Sequence, residues 1–301
     1  MASRQSGLVR QMYQSWADAL RDPDPIEPAG EGNDHWGDIT AEPRGVDYLE
    51  TDAAGVPAMW IAPTQAAHER VILALHGGGF MGGSLYTHRK LFGHLAKAVG
   101  ARALAAHYRL NPAHHHPAPQ QDATTAYRWL LDQGVEAGHI AFAGDSSGGG
   151  LCVTAALSAR DQGLPLPAAL LLMSPWVDME LTGGTYESNK DKDPFFHREL
   201  VQGLVDMHLA DTGDPRDPSV NPLYADLAGL PPMFIQAGAD ECGLDDALLL
   251  DRHARSSGVQ VRLEVFPEQL HTFQMAAGTA PEANQAIGMF AEWARPLLGL
   301  G

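Results

Sequence analysis

Ile140-Ala141-Phe142-Ala143-Gly144-Asp145-Ser146-Ser147-Gly148-Gly149 runs from an apolar strand through a glycine-flanked serine into a helix. That is the context of a nucleophile elbow, where a sharp strand-to-helix turn lifts a serine above the end of a sheet. Gly144 and Gly148 leave room for neighbouring backbone, and Gly149 lets the helix pack closely. A helix starting near Ser147 adds partial positive charge where an anion forms. Ser146 is therefore the expected attacking oxygen. A G-x-S-x-G pentad alone says little in a chain of 301 residues with 32 glycines.

A second stretch adds what the first lacks. The apolar run 71–75 ends in His76-Gly77-Gly78-Gly79-Phe80. Consecutive glycines allow torsions and close approach that side chains prevent, so the loop can bring bare N–H groups to the charge that attack creates. Gly78 and Gly79 are the expected oxyanion donors, with the N–H of Ser147 as the third. His76 is expected to fix the loop by hydrogen bonding rather than to act as base.

Around these two stretches the pattern is βαβα. Strands are expected over 46–51, 57–62, 71–76, 102–107, 139–143, 168–174, 232–237 and 260–266. Helices are expected over 86–99, 121–133, 147–161, 245–257 and 282–298. The first two strands flank Asp52-Ala53-Ala54-Gly55 and read as a hairpin. From 71 onward the strands are nearly continuous apolar runs, as when helices cover both faces of a parallel sheet. Two regions break the rhythm. Residues 5–20 place Leu8, Met12, Trp16 and Leu20 at i+4 spacing beside Val9 and Tyr13, an amphipathic helix followed by a Pro/Gly/Asp-rich loop over 22–45. The insertion 178–222 carries Phe195, Phe196, Leu200, Leu204 and Met207. Each stripe reads as packing against the main domain, as a cap over the site, or as both. The expected organisation is a cap segment 1–45, a catalytic domain 46–177 and 223–301, and a cap insertion 178–222.

In an elbow fold the acid and the base follow the nucleophile along the chain. His271 follows the last strand in Pro267-Glu268-Gln269-Leu270-His271, and of 14 histidines it alone has that placement. It must be neutral to accept a proton, so activity should fall in mild acid. The acid belongs after the strand 232–237, in Gly238-Ala239-Asp240-Glu241-Cys242-Gly243-Leu244-Asp245-Asp246. Spacing alone leaves Asp240 and Glu241 both open. Asp245 and Asp246 open the next helix, where capping is their default role.

Taken together these motifs resemble the hormone-sensitive-lipase-like carboxylesterases, bacterial esterase family IV, over about residues 45 to 295. The resemblance is carried by His76-Gly77-Gly78-Gly79-Phe80, Tyr108-Arg109-Leu110 with Pro112, Gly144-Asp145-Ser146-Ser147-Gly148-Gly149, Ser174-Pro175-Trp176-Val177-Asp178 and the late histidine. It implies an α/β-hydrolase with a mostly parallel eight-stranded sheet, flanking helices and a helical cap. In many relatives the acid segment reads Asp-Pro-Leu-x-Asp. Anchored on Leu244-Asp245-Asp246, that pattern puts the acid at Glu241, with Asp240 the alternative. This chain departs from the pattern in Glu for Asp, in Cys242-Gly243 for Pro-Leu, and in Ser147 where Ala is frequent.

The resemblance implies hydrolysis of short- to medium-chain carboxylic esters through an acyl-enzyme, with a lactone or an acetyl ester among the candidate substrates and no cofactor. Phe80, Trp176, Phe195 and Phe196 are expected pocket residues. Arg109 is expected to brace the oxyanion loop, with Asp122 as partner. Other outcomes on the same fold are a ligand receptor, whose sequence mark is a lost triad residue, and an acyltransferase. A homodimer through the last strand and helix is a family-level expectation.

The remaining features exclude more than they assign. Net charge is −17, which argues against nucleic acid or an anionic membrane surface as partner. No run approaches the ~18 apolar residues that span a bilayer, and no leader-like segment opens the chain. Cys152 and Cys242 both fall in core segments and read as reduced, buried thiols, hence a cytoplasmic location. His114-His115-His116 reads as a solvated loop, because three successive histidines cannot face one ion on a strand. No metal is expected.

Overall fold

In the computed structural model, residues 2–21, 36–210 and 213–301 are described. Eight strands form one sheet: β1 (Val46–Ala53), β2 (Val56–Pro63), β3 (Ala67–Leu75), β4 (Ala101–Ala106), β5 (Ile140–Asp145), β6 (Ala169–Met173), β7 (Met233–Gly238) and β8 (Val261–Phe266). Their order across the sheet is β1-β2-β4-β3-β5-β6-β7-β8. The hairpin β1–β2 is antiparallel and β2 meets β4 antiparallel; every other pairing is parallel. The expected mostly parallel sheet is present. A register shift in β3 between Ala67 and Val71 lets that strand start earlier than its apolar run.

Period-two alternation divides the core. Val71, Leu73 and Leu75 face one layer, whereas Ile72 and Ala74 face the other, and all five are fully buried. The second layer is covered by α2 (Leu85–Val99) and α8 (Pro281–Leu297). The first is covered by α3 (Ala118–Asp132), α4 (Ser147–Asp161) and α7 (Leu244–Ser256). Ser84 and Thr87 make a reciprocal capping box that starts α2, and Gly100 in the left-handed region ends it. Asp52 accepts from the N–H of Gly55 in the β1–β2 turn.

The N-terminal helix α1 (Arg4–Arg21) forms as its amphipathic pattern requires, but its buried face is turned from the Leu8–Met12–Trp16 line. Val9, Tyr13 and Ala17 are buried, Met12 and Trp16 are half-buried, and Leu8 is 53% exposed. Of the loop expected over 22–45, residues 22–35 lie outside the described residues, as does the side chain of Leu20. The insertion carries α5 (Thr185–Ser188) and α6 (Arg198–Leu209), and Val201, Leu204, Val205 and Leu209 of α6 join the main core. Both cysteines are free and buried. Among the described residues no helix is long and apolar enough to cross a membrane.

Candidate active site

The elbow is built by exclusion of side chains. A Cβ at Gly148 would come 2.1 Å from the carbonyl oxygen of Leu75, and one at Gly144 would come 2.4 Å from that of Gly148. With both positions bare, β5 passes directly into α4 and Ser146 is held at φ 52°, ψ −123°. Few non-glycine residues adopt that conformation, and the surroundings over-determine it here. The Ser146 N–H donates to Met173 O at 2.9 Å, and its carbonyl accepts from Gly150 and Trp176 at 3.1 and 3.0 Å.

Ser146 Oγ lies 2.8 Å from His271 Nε2, and His271 Nδ1 lies 2.7 Å from Glu241 Oε2. All three side chains are buried. The chain of contacts allows the serine hydroxyl to donate to Nε2 while Nδ1–H donates to the carboxylate. Glu241 Oε1 in turn accepts from the Gly238 N–H at 2.9 Å, which fixes the carboxylate at the end of β7. Asp240 points elsewhere. Its carboxylate is 3.0 Å from Arg10 and 3.7 Å from Lys192, at the partly exposed rim.

His271 is held from three sides. Tyr13 of α1 donates to its carbonyl at 2.8 Å, and the N–H of Thr272 donates to Ser174 Oγ at 3.1 Å. The ring of Phe196 stacks on the imidazole with centroids 3.8 Å apart. The insertion also clamps the loop that carries Glu241: Asn189 donates to Glu241 O and Ala239 O, and Asp193 accepts from Cys242, Phe195 and Phe196 N–H groups.

Opposite His271, the glycine loop turns through positive φ at Gly78 (120°) and Gly79 (62°). The N–H groups of Gly78 and Ser147 have no protein acceptor among the described residues. That of Gly79 donates to Ser147 Oγ at 3.0 Å. His76 Nδ1 lies 2.8 Å from Gly77 O, and burial pulls the imidazole down to about 3, so it is neutral. Behind the loop, burial would raise the Asp145 carboxyl, yet His88 and the Gly77 N–H together hold it below the ordinary carboxylate range. Arg109 does pair with Asp122, with contacts of 2.8 and 3.0 Å. The brace on the loop comes from its neighbours: Tyr108 Oη donates to His76 O, and Asn111 N–H donates to Phe80 O.

A search against family models matches residues 72–275 to the alpha/beta hydrolase fold. The chain belongs to the α/β hydrolases, in their hormone-sensitive-lipase branch. It is 38% identical over 275 residues to an acetyl-hydrolase of Streptomyces hygroscopicus, covering 86% of this chain and 91% of that one. A carboxylesterase of Mycobacterium tuberculosis is 31% identical over 83% of this chain and 81% of its own. Among solved structures, an esterase from the bacterial hormone-sensitive lipase family superposes with a TM-score of 0.93 at 38% identity, covering 99% of this hydrolase and 100% of that chain.

Not every expected pocket residue lies together. Phe80 and Trp176 line a cavity of about 10 Å³ beside the first turns of α4, the space of a single water molecule. Phe196 covers His271 instead, and Phe195 packs between Tyr13 and Trp16 of α1, away from the cavity. His208 carries no local sequence signal of its place. This α6 residue stacks on Phe80 at 4.0 Å and lines the cavity; burial lowers it to about 3. The histidine run near it also differs from expectation. Only His114 is exposed, whereas His115 contacts Met207 O and His116 contacts Ser219 Oγ, tying that loop to the insertion. Asp245 and Asp246 do not cap α7 either. Asp245 accepts from Thr185 N–H, and Asp246 accepts from Val177 and Asp178 N–H, so both stitch α7 to the start of the insertion.

Proposed function

We propose that this hydrolase cleaves carboxylic esters through an acyl-enzyme formed on Ser146. The observation that carries the reading is the position of His271, within hydrogen-bond reach of both Ser146 Oγ and the buried Glu241 carboxylate. As Ser146 Oγ bonds to the ester carbonyl carbon, His271 Nε2 takes its proton and the carbonyl π electrons move onto oxygen. The N–H groups of Gly78, Gly79 and Ser147 form the hole for that oxyanion. Glu241 orients His271 and stabilises its cation. Collapse of the intermediate breaks the bond to the alcohol oxygen, which receives the proton from His271. Water then repeats the sequence on the acyl-enzyme, releasing the acid and restoring Ser146. No step calls for a cofactor.

The described residues of 1–45 and of 178–222 form the cap in this reading. Contact of Tyr13 and Phe196 with His271, and of Leu204 with Gly79, supports the assignment. The acyl group is short, an acetyl ester being the best fit. A similar chain is named an acetyl-hydrolase, which agrees. The free, buried thiols of Cys152 and Cys242 fit the reducing cytoplasm. β8, at the edge of the sheet, is open to pairing in a homodimer.

Hydrolysis of p-nitrophenyl esters from acetate to dodecanoate tests the reading. Turnover should peak at the shortest chains. No turnover of any ester by well-folded protein would move the assignment to a narrow lactonase or a binding protein.

A further inference from the structure

We propose that the Ser147 side chain is a positioning residue that engages one oxyanion donor, Gly79 N–H, in the resting enzyme and thereby limits the strength of the oxyanion hole. This rests on the assignment of Gly78, Gly79 and Ser147 N–H as oxyanion donors.

Ser147 is fully buried at the first turn of α4, and its Oγ accepts from Gly79 N–H at 3.0 Å. Beside it the Tyr108 phenol, stacked on the His76 ring, donates to His76 O at 2.5 Å. Leu204 packs over Gly79, which keeps the loop against Ser147.

Only interactions stronger in the transition state than in the ground state speed the chemical step. Among the described residues the Gly78 and Ser147 N–H groups have no protein acceptor, which leaves them ready for an oxyanion. The Gly79 N–H already has one. When Ser146 attacks, that N–H must turn from a neutral hydroxyl or divide itself between hydroxyl and oxyanion. Part of its attraction for the anion is offset by the bond it gives up. An alanine at position 147 keeps the backbone N–H and releases Gly79.

The experiment compares native protein with Ser147→Ala in three measurements: kcat and KM on p-nitrophenyl acetate, inhibition by a short-chain trifluoromethyl ketone, and thermal unfolding. In the ketone, Ser146 Oγ bonds to the carbonyl carbon, the π electrons become an oxyanion and His271 takes the proton, so affinity reports the hole directly. The variant should show kcat raised by about three- to tenfold with KM little changed, and an inhibition constant lowered by a similar factor. Its Tm should fall, because Gly79 N–H loses its resting partner. A side chain that only supports the fold would lower both activity and Tm. If the native protein hydrolyses esters and Ser147→Ala gains neither rate nor inhibitor affinity, the inference is overturned alone. If the native protein hydrolyses none, the functional reading is overturned and takes the inference with it.

Discussion

The ring of Phe196 lies flat on the imidazole of His271, with centroids 3.8 Å apart and planes 9° from parallel. Phe196 belongs to the insertion between β6 and β7, whereas His271 follows β8, so the two meet only in the folded chain. An aromatic face attracts a cation above it, and His271 becomes cationic in the proposed transition state. Phe196→Leu keeps the apolar cover but removes that face. We expect kcat to fall about three- to tenfold with a smaller change in KM. An unchanged kcat would assign Phe196 to packing alone.

Glu241 and Asp240 are adjacent in sequence and opposite in setting. Glu241 is buried against His271 Nδ1, whereas Asp240 pairs with Arg10 and Lys192 at the rim. Glu241→Gln should cost on the order of 10²–10⁴ in kcat, by leaving the imidazole without its orienting carboxylate. Asp240→Asn should stay within about threefold of native, as for a rim ion pair. Comparable losses in the two variants would contradict the assignment.

Chain-length preference should separate Phe80 and Trp176 from Phe195. Phe80 and Trp176 line the cavity beside α4; Phe195 packs against Tyr13 and Trp16. Phe80→Ala is expected to move the optimum in a p-nitrophenyl ester series toward longer acyl groups. Phe195→Ala should leave the optimum in place and lower stability by about 1–3 kcal/mol, read by urea unfolding. A shifted optimum in Phe195→Ala would place that residue at the substrate after all.

What the sequence made legible was local. The strand, glycine-flanked serine and helix at 140–149 signal the elbow because the backbone there tolerates little else, and the run His76–Phe80 signals its partner loop for the same reason. The parallel sheet was readable because strands covered on both faces are apolar throughout. Contacts between distant segments were not. Nothing in the spacing of Asp240 and Glu241 says which one β7 turns inward. His208 looks like any helix histidine until α6 is laid over Phe80. His115 and His116 read as solvated because their partners, Met207 O and Ser219, are about a hundred residues away in sequence. Asp246 read as a helix cap because the local pattern is that of one, while its bonds run to Val177 and Asp178.

Asp246 gives a pH signature. Burial pushes its carboxyl up to about 7; the Asp178 and Val177 N–H groups oppose the rise, and the charges of Asp178 and Glu241 add to it. In the unfolded chain an aspartate titrates near ~4. Between about pH 4 and 7 the folded protein therefore keeps a proton that the unfolded chain has lost. The group's contribution to stability is full below the unfolded value and is lost as pH rises through about 7. Urea unfolding at pH 5 and pH 8 should show the native protein losing stability relative to Asp246→Asn. An equal difference at both pH values would count against the raised value.

In the proposed mechanism one serine, Ser146, carries the acyl group. Labelling with a p-nitrophenyl alkylphosphonate, which transfers its phosphonyl group to an activated serine and releases p-nitrophenolate, addresses it directly. Peptide mass spectrometry should find one phosphonyl group per chain, on the peptide holding Ser146, with esterase activity lost in proportion and no label in Ser146→Ala. Label on another residue, or ester hydrolysis that persists in Ser146→Ala, would rule out Ser146 as the nucleophile.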